Sequence, residues 1–230
     1  MPYFYYGSSY LLYVLPAIII CALAQWNVSA AFQKYSKVGN ARRFTGYGIA
    51  RAILDQNGLY DVRIEHVPGR LTDHFDPTAG VVRLSDAVYH SESVAAIGVA
   101  AHEVGHVLQY QQAYFPIRIR KAILPITQIG NAAAWPLAIL GIFLGIDPLV
   151  NFGILLFTAV VFFQLLTLPV EFNASARALR TLRDQQVLEG AELAGAKRML
   201  QAAALTYVGA LIMAIANLLR LLALSNRNRR

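Results

Sequence analysis

Four long apolar blocks, separated by polar and basic stretches, leave this chain few ways to fold. Residues 10–25 carry no charge, and the run extends to about Phe32, enough for one bilayer crossing. A second block, 122–145, contains Pro125 and Pro136; a third covers 149–169 and a fourth 202–224. With 57% hydrophobic and only 14% charged residues bunched in this way, the pattern predicts a mostly α membrane protein with four transmembrane helices.

Ala22-Leu23-Ala24 resembles a signal-peptide cleavage site, but no basic residue precedes it. Lys34, Lys37, Arg42 and Arg43 follow the block instead, which predicts an uncleaved anchor with its N-terminus outside. Arg118, Arg120 and Lys121 before the second block, Arg177, Arg180 and Arg183 after the third, and Lys197 and Arg198 before the fourth fit that orientation. The tail 225–230, with three arginines, runs against it; Asn217 and Arg220 leave open a last block that does not fully cross. The net charge of +7 then reads as membrane topology and attraction to anionic lipid, with no nucleic-acid signature. The single Cys21, inside the first block, excludes a disulfide framework and a thiolate metal site.

The chemistry is concentrated in His102-Glu103-Val104-Gly105-His106. Two histidines four apart on a helix lie about 40° apart around the axis and roughly 6 Å along it, so both imidazoles can reach one ion. Glu103 is placed to take a proton from water as general base without being a ligand. A chain with five His and so few Glu would show this pattern by chance roughly 0.003 times. Residues 91–112 read as one helix, with Ser91 as N-cap and Glu92 in its first turn. Ala95, Val99, His102, His106 and Gln109 share one face of it.

The polar stretch 33–121, inserted between the first two membrane blocks, is long enough for a small α+β domain of zincin-like type. Residues 45–57 have helical spacing and stop at Gly58, and 62–67 alternate like a strand. Residues 70–76 and 81–85 read as a hairpin around Pro77-Thr78-Ala79-Gly80, which either holds an extended substrate by strand addition or only covers the helix. A catalytic zinc usually has three protein ligands and an open position. Glu65, Glu92, Glu189 and Glu192 are badly placed, the last two in a polar loop. Glu171 follows the third block at once and can open a helix on the cytoplasmic rim of the membrane, at the start of a segment 171–201 that also includes the polar loop. His66, His74 and His90 compete with it, and a capping role for Glu171 is the plainer alternative.

Residues 71–109 (LTDHFDPTAGVVRLSDAVYHSESVAAIGVAAHEVGHVLQ), with the later PVEFNAS from Pro169 to Ser175, resemble the "putative neutral zinc metallopeptidase" family of bacterial membranes. The resemblance covers most of the chain: anchor 1–32, polar domain 33–121, membrane hairpin 122–170, acidic helix 171–201, and fourth span with tail 202–230. It implies a gluzincin-type zinc peptidase with His102, His106 and Glu171 as ligands and Glu103 as base. Broader membrane gluzincins carry an aspartate where this chain has Ser175. Support for a metal histidine then falls to the Ser175 hydroxyl, or to Asn173 or Asp73.

The expected activity is hydrolysis of peptide bonds, on peptides or membrane proteins, by a zinc-activated water at the cytoplasmic face of a bacterial plasma membrane. His74, His90, Tyr89 and Tyr110 are candidates for stabilising the oxyanion. A catalytically silent zinc-binding scaffold or peptide-binding protein is the rival reading, and a zinc transporter is disfavoured because the motif lies in the polar segment. A second copy of the chain, or another membrane protein, stays open as a partner.

Overall fold

The computed structural model describes residues 10–228; Met1 to Ser9 and the tail arginines Arg229 and Arg230 lie outside the described residues. The elements run α1 (Tyr10–Tyr35), α2 (Gly46–Gln56), β1 (Arg63–Val67), β2 (His74–Asp76), β3 (Val81–Ser85), α3 (Val94–Gln111), α4 (Phe115–Leu144), α5 (Asp147–Asp184) and α6 (Gly190–Asn228). Helices α1, α4, α5 and α6 are each long and apolar enough to cross a membrane, as the four blocks predict.

Two of these helices are longer than their apolar blocks. Glu171 does not open a helix: α5 continues through Pro169 to Asp184. A proline inside a helix forfeits one backbone hydrogen bond. Here Val170, Ala174, Ala178 and Leu182, one face at i, i+4 spacing, are all essentially buried, and that packing carries the helix past the defect. Likewise α6 starts at Gly190, so Glu192 lies in its first turn instead of in a loop, and its carboxylate accepts the Ala41 N–H.

The chain forms two compact units, one of residues up to 25, 115–169 and 205 onward, the other of residues 26–114 and 170–204. In the first, helices α4 and α5 approach through small residues. A Cβ on Gly130 would lie 2.8 Å from the Leu156 carbonyl oxygen, and one on Gly153 would lie 2.7 Å from that of Ala134. Such close backbone contact is how helices associate where the solvent is itself apolar. Phe143 and Leu155 point outward, 86% and 64% exposed, a pattern suited to lipid and not to water. Pro125 and Pro136 sit inside α4 without ending it.

The second unit has a conventional core of large side chains: Ile49, Ile53, Leu54, Leu84, Ile97, Leu182, Leu188 and Met199 are fully or almost fully buried. Helix α2 begins as expected, with the Thr45 hydroxyl accepting the Gly48 N–H, and ends beside Gly58 at φ +70°. The sheet order is β1-β3-β2: β2 pairs antiparallel with β3 across the predicted turn, and β1 pairs parallel with the other edge of β3. The first hairpin arm is shorter than the pattern suggests. Gly69 and Leu71 both take positive φ, +110° and +57°, so extended chain resumes only at His74. The metal-motif helix also starts later than expected, with Ser93 as N-cap to Ala96 and no acid in its first turn. The carbonyls of Ser91 and Glu92 are occupied by the N–H groups of Gly46 and Asn40, which holds those two residues out of the helix.

Candidate metal centre

Helix α3 presents His102 and His106 one turn apart, their rings 4.8 Å between centroids and nearly perpendicular. Facing them is Glu171 of α5, whose Oε2 lies 3.3 Å from His102 Nε2 and 3.5 Å from His106 Nε2. The side chains are 15%, 12% and 3% exposed in that order, so the carboxylate is secluded while the imidazoles keep an opening. One ligand atom from each of the three residues lies within 4.8 Å of the other two. Glu103, next in sequence to His102, is 9% exposed, and its charge acts on His106.

Gly105 makes the meeting of the two helices possible. A Cβ there would stand 2.8 Å from the Ala174 carbonyl oxygen and 3.3 Å from the Ala174 Cα, so only glycine lets the α5 backbone come this close. Residues 171 and 175 are one turn apart on α5, and both reach α3. Ser175 Oγ lies 3.1 Å from His102 Nδ1, so the hydroxyl at the position where the broader membrane gluzincins carry an aspartate reaches this imidazole.

The other histidine is held by a residue whose role the sequence did not disclose. Gln109, completely buried, donates from Nε2 to the Val170 carbonyl oxygen at 2.7 Å and to Asn173 Oδ1 at 3.0 Å. A backbone carbonyl only accepts, so the amide orientation is fixed and its Oε1 must face His106 Nδ1, 3.0 Å away. Nδ1 therefore donates, and the Nε2 lone pair faces the Glu171 carboxylate. Two acceptors face to face repel unless a cation or proton lies between them. Two imidazole nitrogens and one carboxylate also form a donor set suited to zinc, with room for a further ligand. The residues fit a divalent metal.

His106 titrates above the ordinary imidazole range. Burial works against its charged form, but the hydrogen bond to Glu171, the charges of Glu103 and Glu171, and the Gln109 contact outweigh it. The only signal for Gln109 in the sequence was its place on the histidine face, three residues after His106, where a helix brings side chains together.

The competing residues are engaged elsewhere. His66 Nε2 pairs with Asp86 Oδ1 at 2.7 Å, His74 Nδ1 meets the Thr72 carbonyl at 2.8 Å, and His90 packs edge-on against Tyr89 and His66. Tyr89 also stacks on Tyr47, while Tyr110 lies edge-on to Phe75. Asp73 does not support a histidine: it accepts the N–H and hydroxyl of Ser85, and burial raises its carboxyl above the usual range despite those bonds. Asn173 acts at one remove, through Gln109, and itself accepts from Arg177 Nε at 2.7 Å.

Helix-borne histidines opposed by a carboxylate from a second helix form a group that could hold a metal ion. The chain belongs to the family described as "Putative neutral zinc metallopeptidase", whose model matches residues 10–226. It is 49% identical over 197 residues, 86% of this chain and 88% of the relative, to the "Putative membrane protease YugP" of Bacillus subtilis (strain 168). That likeness and the four apolar helices point to a multi-pass membrane protein. No solved structure matches the chain.

Proposed function

We propose that the protein is a membrane-bound zinc metallopeptidase of the HExxH type, hydrolysing peptide bonds in peptides or membrane proteins. The observation that carries this reading is the convergence of His102, His106 and Glu171, with the Gln109 amide turning the His106 Nε2 lone pair towards the carboxylate. These three side chains would hold the zinc. When bound there, the ion would supply Lewis acidity for the carbonyl and the attacking water. Glu103 takes a proton from the water that attacks the carbonyl carbon, and delivers it to the amine nitrogen as the C–N bond breaks. Ser175 and Gln109 keep the two imidazoles oriented through both transfers.

Glu103→Gln in the purified protein tests the assignment. It should keep zinc by metal analysis but lower turnover on a panel of peptide and membrane-protein substrates by about 10² or more. His102→Ala, His106→Ala and Glu171→Ala should each lose zinc as well. Equal turnover by wild type and Glu103→Gln would leave a zinc-binding scaffold in place of an enzyme.

The basic clusters flanking the apolar blocks support a cytoplasmic active site in a bacterial plasma membrane. In a Cys21→Ser background, a cysteine placed at Ser36 should then resist impermeant thiol reagents in intact cells, while one placed beside Asp147 should react. The reverse labelling pattern would put the site outside.

A further inference from the structure

The helical unit contains a cavity of about 360 Å³ whose wall carries Gln25 of α1, Asn131 of α4, Gln164 of α5, and Thr206 and Asn217 of α6, besides apolar residues such as Val160. Its size falls within the range of ligand sites. Every long helix contributes at least one polar group to it. Polar side chains are expensive in apolar spans and tend to mark a function there.

The chemistry of the wall narrows the occupant. No carboxylate, ammonium, guanidinium or imidazole lines it, so neither a cation nor a phosphate headgroup finds its counter-charge. The wall instead carries four carboxamides and one hydroxyl; Gln25 and Thr206 already have partners within the protein, so the groups that would meet a ligand are those of Asn131, Gln164 and Asn217. A carboxamide has donors and an acceptor in one plane, the complement of a peptide group. Asn217 donates one N–H to the Met213 carbonyl and still has a second N–H and its own carbonyl to offer. A concave cavity is not its own complement, which argues against a second copy of this chain seated there through a two-fold axis.

We propose that this cavity is a binding groove for an unwound stretch of a membrane-spanning polypeptide. The proposal rests on the peptidase reading and deepens it by naming the substrate class as integral membrane proteins. A helical span satisfies its own backbone, so only a locally unwound one has N–H and C=O groups to exchange with the carboxamides. From Thr206 to Asn217 the α6 wall measures roughly 16 Å, the length of about five residues of extended chain.

The test uses the full chain carrying Glu103→Gln, reconstituted in liposomes, so that binding is read without hydrolysis. The probe is a labelled leucine-alanine membrane-spanning peptide with a central Gly-Pro pair; the control is the same peptide without the pair. The interrupted peptide should bind about tenfold tighter or better. Asn131→Leu combined with Gln164→Leu should erase that preference. Val160→Trp, which leaves every carboxamide in place and fills the cavity, should erase it as well. Equal affinity for the two peptides, or a preference that survives both variants, overturns the groove. Zinc content is measured on the same samples. A protein that holds zinc but shows no preference refutes the groove alone; one that shows the preference without zinc supports the groove and refutes the peptidase reading.

Discussion

In the unit that carries the candidate metal centre, large side chains such as Ile53, Leu84, Ile97 and Met199 are withdrawn from solvent. In the helical unit Ala134 and Ala138 are fully buried beside larger residues such as Leu221, glycines stand at the backbone contacts, and Phe143 and Leu155 face outward. Water drives the first arrangement, because burying apolar area is itself the gain. In lipid that gain is absent, and close contact between small residues takes its place. Both units nevertheless use the same device, Gly105 against Ala174 in the first and Gly153 against Ala134 in the second among them. The difference lies in what the contact positions. The first brings a carboxylate to two imidazoles; the second only joins two helices.

Alanine at these glycines tests that distinction, and Gly105→Ala is expected to have the larger effect. It should destabilise its unit by about 1–3 kcal/mol through overpacking and also cost most of the bound zinc, because α5 must retreat. Gly153→Ala should destabilise the protein to a similar degree but leave its zinc content unchanged. Thermal unfolding together with metal analysis reads both effects. Zinc lost from Gly153→Ala would break the comparison, since the helical contact would then be setting the metal geometry too.

Gln109→Ala comes next, with an expected 10- to 100-fold loss of zinc affinity, because His106 Nδ1 loses its acceptor while the ligands themselves remain. Competition against a fluorescent chelator would measure it. Ser175→Ala should act in the same direction but less strongly, since a hydroxyl can be replaced by water. A larger effect at Ser175 would reverse the ranking of the two supports.

The smallest expected effect concerns pH. His106 titrates above the ordinary imidazole range, and zinc needs the neutral ring, so the proton competes from a higher pH than at an isolated histidine. Zinc affinity should therefore fall as pH drops through neutrality. Glu103→Gln, which removes one of the charges holding the proton on His106, should move the midpoint of that fall to lower pH. A midpoint that does not move would show that the Glu103 charge is not felt at His106.

The two units also differed in how much of them was legible beforehand. The four apolar blocks were visible because membrane spans are local: length and lack of charge suffice. The ends of those helices were not, because Pro169 is a strong local stop signal that only the buried face from Val170 to Leu182 overrides. In the polar unit, Thr45, Gly58 and the turn before β3 were readable from local chemistry. The parallel pairing of β1 with β3 was not, since register between distant segments leaves no periodicity in either.

By itself the sequence determined that this chain has four bilayer-length helices, and that His102 and His106 share a helix face with Glu103 beside them. Spacing on a single helix is enough for that. Only the tertiary structure decided that α5 passes Gly105 closely enough for Glu171 to meet both histidines, that Ser175 rather than Asp73 supports His102, and that Gln109 sets the tautomer of His106. Each of these depends on contacts between residues more than 60 positions apart, or on a hydrogen-bond orientation fixed by such a contact, and no local pattern encodes either.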